Sequence, residues 1–194
     1  GQYVLTTISR TGCLHKDTAN ISIAGVAPTA RIVISPACQG ELVNFRDSSS
    51  IPAGNSIQSW KWTFSDNSTS TQQNPSVTFP GLGLASASLK ITTNVGCTDS
   101  VFKSFAINKK PIPSFYNLLS CAGNPTVFVD QTIANAASVT DWAWDFNGLG
   151  ISNGIQNPAF RFPAAGTYNV RLKATNSNGC SDTITFQTDV NSSP

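Results

Sequence analysis

The sequence has no methionine, a single glutamate (Glu41) and a single histidine (His15), and only 11 % of its 194 residues are charged. A globular protein usually carries about 25 %. These shortages remove whole classes of function. Glycosidase chemistry needs two carboxyl groups in one cleft with divergent pKa values, and one Glu with scattered Asp does not supply them. A Ser-His-Asp triad would have to use His15, which lies in a Gly-Cys turn region near the start of the chain. No Gly-x-Ser-x-Gly, His-Glu-x-x-His or phosphate-loop pattern occurs. The reading is therefore non-enzymatic. The net charge is +2 with no basic run, so nucleic acid is not an expected partner. The longest apolar runs are a few residues, too short for membrane insertion. No segment shows the apolar period of a helix. No signal peptide is visible and no initiator Met, so the chain reads as the middle piece of something longer.

What is present is aromatic and repetitive. All four tryptophans sit in two hexapeptides, Ser59-Trp60-Lys61-Trp62-Thr63-Phe64 and Asp141-Trp142-Ala143-Trp144-Asp145-Phe146. Side chains alternate faces along a strand, so Trp60, Trp62 and Phe64 share one face, as do Trp142, Trp144 and Phe146. Three rings on one side of a short strand need a second sheet to cover them. The interval from Trp60 to Trp142 is the size of one small β-domain, which predicts a tandem repeat.

Further landmarks keep one register. Cys38, Asp47, Asn74-Pro75, Phe79-Pro80, Gly96-Cys97 and Asp99 recur at one constant offset as Cys121, Asp130, Asn157-Pro158, Phe162-Pro163, Gly179-Cys180 and Asp182. Residues 1–26 match only the end of this pattern, including Gly12-Cys13 and the strand residues Ile21-Ser22-Ile23. They read as the last two strands of a repeat whose front is missing. The expected domains are therefore 1–26, the strand pair of an incomplete repeat, then 27–109 and 110–194. Proline-bearing linkers at Val26-Ala27-Pro28 and Lys109-Lys110-Pro111-Ile112-Pro113 should hold neighbours semi-rigidly and give a linear rod. Turn signals at Asp66-Asn67, Gly81, Gly83, Asn147-Gly148 and Asn153-Gly154 separate short strands. The expected fold is all-β: tandem sandwiches of about seven strands each.

The five cysteines fit an oxidising compartment better than a cytosol, where they would be free core thiols. Cys38 and Cys97 are separated by the same interval as Cys121 and Cys180 (97 − 38 = 180 − 121). Equal spacing predicts one bridge within each domain, Cys38–Cys97 and Cys121–Cys180. Closing a loop of that length contributes roughly 4 kcal/mol in the chain-entropy model. Cys13 occupies the place of Cys97 and Cys180, so it is expected to lack a partner because its repeat is truncated.

Trp-x-Phe before a Gly/Asp/Asn turn, then Asn-Pro, then an aromatic, then Gly-x-Tyr-x-Val resembles the PKD domain, an Ig-like β-sandwich common in bacterial surface proteins. The resemblance covers 28–194 and, through its tail half, 1–26. The family's turn is Trp-Asp-Phe-Gly-Asp-Gly; here it reads Trp62-Thr63-Phe64-Ser65-Asp66-Asn67 and Trp144-Asp145-Phe146-Asn147-Gly148-Leu149-Gly150. The first repeat lacks Gly-x-Tyr, with Ala87 set where Tyr168 falls. The Cys…Gly-Cys pair is similar to that of large adhesins of gliding, biofilm-forming Gram-negative bacteria, exported by the type 9 secretion system. The resemblance implies a secreted or cell-surface stalk or spacer, flanked by neighbouring repeats of the same chain. Two other functions are carried beside it. One is a carbohydrate-binding accessory module of a secreted polysaccharide hydrolase, with surface polysaccharide as partner. The other is a fibre subunit that assembles with a like subunit by strand addition.

Individual residues divide between these readings. Trp62, Phe64, Trp144 and Phe146 are the expected core signature, packed against the disulfide as on the matching strand of Ig-like sandwiches. Trp60 and Trp142 are the outermost rings and the candidates for facing a sugar. Asp66 and Asp145 resemble positions that bind Ca²⁺ in some members of the family. A calcium site needs six or more oxygens and each turn offers one or two, so no cofactor and no metal is expected. Asp47, Asp66 and Asp130 should instead bond nearby backbone in turns. Finally, Asp17-Thr18-Ala19, Asp99-Ser100-Val101 and Asp182-Thr183-Ile184 resemble the O-glycosylation sequon of the same bacterial group. This makes Thr18, Ser100 and Thr183 candidate glycan sites, in an exposed turn after each Gly-Cys.

Overall fold

The computed structural model describes residues 2–20, 27–118, 120–135 and 137–192. The predicted strand residues Ile21-Ser22-Ile23 and the Val26 end of the first linker lie outside them. An antiparallel hairpin comes first, β1 (Gln2–Ile8) with β2 (Leu14–Asn20), and every residue in it is exposed.

Two sandwiches of seven strands follow. The first contains β3 (Ile32–Ile34), β4 (Leu42–Asp47), β5 (Ile57–Phe64), β6 (Thr69–Ser70), β7 (Ser76–Thr78), β8 (Gly83–Thr93) and β9 (Thr98–Ile107). The second contains β10 (Phe115–Asn117), β11 (Pro125–Asp130), β12 (Val139–Phe146), β13 (Ile151–Asn153), β14 (Ala159–Arg161), β15 (Gly166–Asn176) and β16 (Ser181–Val190). Each has a three-stranded sheet, β3-β4-β7 or β10-β11-β14, facing a four-stranded one, β6-β5-β8-β9 or β13-β12-β15-β16. All strand pairs are antiparallel, and β9 and β16 are edge strands.

The period-2 reading of the tryptophan strands holds. Trp62, Phe64, Trp144 and Phe146 are buried. Trp62 stacks on Phe64 at 6.1 Å and 5°, and Trp144 on Phe146 at 6.4 Å and 2°. The opposing sheet contributes Phe45, 4.8 Å from Phe64, and Phe128, 5.3 Å from Phe146. A buried indole N–H needs an acceptor. Trp62 donates to the Gln72 carbonyl at 2.9 Å and Trp144 to that of Ile155 at 3.0 Å. The covering groups are thus phenylalanines, and no disulfide lies in either core.

The landmarks shared by the repeats are mostly the bonds that fix the small sheet. Asn74 and Asn157 accept the backbone N–H of Asp47 and Asp130 at 3.0 and 2.9 Å. The carbonyls of Pro75 and Pro158 accept those of Phe45 and Phe128, both at 2.9 Å. The carbonyls of Phe79 and Phe162 accept Gly40 and Gly123. One pairing of the repeats needs correction. Ala87 lies opposite Phe64 as Val170 lies opposite Phe146. The residue standing in for Tyr168 is therefore Ala85, not Ala87.

The joint between the repeats as candidate functional site

The Gly-Cys segments form one hairpin loop, built three times. The residue four before each cysteine — Ser9, Thr93 or Asn176 — exchanges backbone bonds across the loop. Its N–H reaches the cysteine carbonyl at 3.0, 2.9 and 2.8 Å, and its own carbonyl accepts the glycine N–H. Its side-chain oxygen accepts the cysteine N–H, at 3.1 Å in all three cases. Gly12, Gly96 and Gly179 have φ of +81°, +83° and +78°, a region only glycine enters without strain.

The leading cysteines form a second repeated device, at the opposite end of each sandwich. Cys38 pairs in parallel with Asn108, just past β9, and Cys121 pairs with Asn191, just past β16. The Asn108 N–H reaches the Ala37 carbonyl and the Asn191 N–H that of Ser120, both at 2.9 Å.

This placement overturns the expected pairing. Cys97 precedes β9 and Cys38 lies beside its far end. Ten residues of strand separate the two ends by about 33 Å, whereas a disulfide needs Cα atoms within about 7 Å. Cys38–Cys97 is therefore sterically excluded, and Cys121–Cys180 is excluded by the same span of β16. The bond that forms is Cys38–Cys180, with Cα atoms 5.6 Å apart across 142 residues of sequence. It joins the first sandwich to the second. Cys97 and Cys121 are half-exposed free thiols and Cys13 is an exposed one.

Around this bond the joint is polar and closely fitted. Asn176 donates its amide to the Lys109 carbonyl of the linker at 3.0 Å, and Asn135 donates to that of Lys110 at 2.7 Å. Lys110 turns back to form an ion pair with Glu41, the sole glutamate. Gly179 rests on Pro36: a Cβ there would lie 2.8 Å from the proline Cγ. Leu82, Ile107, Asn108, Lys109, Asn135 and Asn178 surround a cleft of about 340 Å³ at the seam. Sequence reasoning missed Pro36, whose contact with Gly179 exists only once two repeats meet, and Asn176 and Asn135, whose bonds to the linker carbonyls carry no sequence motif.

The other candidates lie elsewhere. Trp60 and Trp142 are half-buried at the edges of their cores, and each gives its indole N–H to a carboxylate, Asp47 or Asp130, at 2.8 Å. Asp130 also accepts from the Thr132 backbone and hydroxyl and from the Gln156 amide. Asp47 accepts from the Ser49 N–H and Asp66 from the Ser68 N–H, both at 2.9 Å. The Ser68 hydroxyl is the main cause holding the Asp66 carboxyl below its ordinary pKa. Asp145 accepts the Gly148 N–H and pairs with Arg171 at 3.2 Å. Among the described residues no three His, Cys, Asp or Glu side chains cluster as metal ligands would.

Thr18, Ser100 and Thr183 are exposed, but they sit within β2, β9 and β16 rather than in a turn. The hairpin loop has already closed at each cysteine. Asp99 differs from its counterpart Asp182. It accepts the Ala30 N–H at 2.8 Å, which lowers its pKa, whereas Pro113, in the place of Ala30, has no N–H to give.

The chain matches the PKD domain family twice, over residues 25–107 and 108–190, and it belongs to that family. It is similar to the PKD1 domain from the Vibrio cholerae metalloprotease PrtV, with 27 % identity over 42 % of this chain and 98 % of that one, at a TM-score of 0.38. It is similar to the PKD1 domain of Vibrio anguillarum Epp at 22 % identity, covering 43 % and 95 %, with a TM-score of 0.39. The fibronectin(III)-like modules of Clostridium thermocellum CbhA match 84 % of this chain and 95 % of theirs, at 11 % identity and a TM-score of 0.50.

Proposed function

We propose that the two PKD domains are a non-catalytic stalk or spacer in a secreted, surface-attached adhesin or extracellular fibre. The observation that carries this reading is the Cys38–Cys180 bond. A disulfide that joins successive sandwiches resists bending and separation of the pair, which serves a rod under tension and is not required of a free-standing domain. Its formation also suits an extracellular location, and type 9 secretion is the export route we favour.

The test exchanges the repeats in the native host. Deleting them should reduce surface adhesion, and inserting an equal number of unrelated sandwich domains should restore it. Failure of the unrelated domains to restore adhesion would show that this sequence contributes a specific contact. The rival carbohydrate-binding reading rests on Trp60 and Trp142. Glycan-array binding that disappears in Trp142→Ala while the fold persists would favour it. The strand-adding subunit rests on the edges of β9 and β16 and on the exposed β1–β2 hairpin.

We also propose O-glycosylation at Thr18, Ser100 and Thr183. All three residues are exposed, and attached sugars are hydrating, which offsets the 11 % charge. The intact mass of the natively exported protein should exceed that of the bare polypeptide. A mass equal to the polypeptide less its disulfide hydrogens ends this proposal.

A further inference from the structure

We propose that Cys97 and Cys121 are each one half of the same inter-repeat disulfide already made by Cys38 and Cys180, and that their partner is another repeat of this kind. Cys97 takes the leading cysteine of a preceding repeat, and Cys121 takes the Gly-Cys hairpin of a following one. The bonding of these two thiols goes beyond the stalk role and does not require it.

The support is local equivalence. Cys121 reproduces the setting of Cys38: its carbonyl accepts Asn124 as that of Cys38 accepts Glu41, both at 3.1 Å, and Asn191 flanks it as Asn108 flanks Cys38. Cys97 reproduces the hairpin of Cys180, down to the 3.1 Å bond from its N–H to the side chain four residues before it. In the made joint these two settings face each other, and their sulfurs bond. The free halves differ where a partner surface is needed. Gly179 is pressed against Pro36, whereas Gly96, with φ of +83°, has nothing within 4 Å of where a Cβ would stand. Cys180 and Cys38 are 0 % and 3 % exposed, whereas Cys97 and Cys121 are half-exposed. Cys13, in the third copy of the hairpin, is the same half one repeat earlier.

Bond formation follows thiol–disulfide exchange with a small-molecule disulfide such as oxidised glutathione. One cysteine loses its proton, and its thiolate attacks the disulfide, releasing one reduced thiol. The second cysteine, as thiolate, attacks the mixed disulfide and releases the other. Two protein thiols are oxidised, one disulfide is reduced to two thiols, and the two protons end on the released thiols. Because Cys121 lies between Cys38 and Cys180 in sequence, successive bridges interleave.

The test is non-reducing peptide mapping of the natively exported protein, with free thiols alkylated at harvest. Cys38–Cys180 is the internal reference, and its absence would refute the observed joint separately from the proposal. The expected result is Cys97 bonded to a leading-cysteine peptide other than that of Cys38, and Cys121 to a Gly-Cys peptide other than that of Cys180. Growth of mixed light- and heavy-isotope cultures separates the two sources of such a repeat. Mixed-label bridges identify a second copy, and single-label bridges identify the same chain. Either supports the proposal. Recovery of Cys97 or Cys121 as alkylated thiols, a bond between two like halves, or a Cys97–Cys38 bond overturns it.

Discussion

Asp47 and Asp130 show how a single carboxylate sets the boundary of each core. The half-buried indole of Trp60 or Trp142 has a polar N–H that must be satisfied as it packs, and the aspartate supplies the acceptor at 2.8 Å. The same groups hold the turn after β4 or β11 through Ser49 or Thr132. Asp130 is the more committed of the two, since Gln156 and the Thr132 hydroxyl also donate to it. Removing the acceptor leaves part-buried donors without that partner, and hydrogen bonds to charged groups contribute about 1.5–3 kcal/mol each. Asp130→Ala is therefore expected to destabilise the second sandwich by about 2–3 kcal/mol, while Asp130→Asn keeps an acceptor and costs less. Urea denaturation followed by tryptophan fluorescence measures both. This clasp also weakens the sugar-platform reading of Trp142, because the ring edge is already held from inside the domain.

At the scale of the element, the tryptophan strands were legible because a period of two is local. The face shared by Trp142, Trp144 and Phe146 needs no knowledge of the rest of the chain. The repeat was legible because Asn-Pro, Phe-Pro and Gly-Cys each hold a backbone group in one fixed bond, so their register survives in both copies. The disulfide was not legible from spacing. A cysteine pattern that recurs once per repeat fits bonds within repeats and bonds between successive repeats equally well. What decides is the length of β9 and β16, which carries each Gly-Cys to the opposite end of its sandwich from the leading cysteine. The sequons were misplaced for a related reason: the hairpin closes at the cysteine itself, so the strand begins sooner than the turn signals suggest. The hairpin yields a sharp contrast. Gly96→Ala meets no neighbouring atom, so its cost is that of a left-handed alanine, about 1–2 kcal/mol. Gly179→Ala adds a methyl carbon 2.8 Å from Pro36, and that contact can be relieved only by moving the hairpin off the first sandwich. Refolding in a glutathione buffer should give less Cys38–Cys180 bond in Gly179→Ala than in Gly96→Ala, read as the yield of the linked peptide. Equal yields would show that the hairpin tolerates displacement.

For the whole molecule, the bond changes which part of the chain carries a load. Tension applied through the two ends passes along residues 27–38, across the disulfide to Cys180 and out through β16. The chain between Cys38 and Cys180, which includes both tryptophan strands, lies off that path and cannot lengthen while the bond is intact. The bond also closes a loop of 142 residues, which in the chain-entropy model opposes unfolding by about 5 kcal/mol. A tandem pair tied this way resists extension covalently, with its hydrophobic cores as a second line. In single-molecule pulling between the chain ends, the oxidised protein should therefore release no length from the segment between Cys38 and Cys180. Adding a reductant should free the 142-residue segment, a contour gain of roughly 480 Å at about 3.4 Å per residue, taken in two unfolding steps because there are two separate cores. Full-length unfolding steps without reductant would mean that the bond does not bear the load. A single step after reduction would mean that the two sandwiches unfold as one cooperative unit, which their separate aromatic clusters do not lead us to expect.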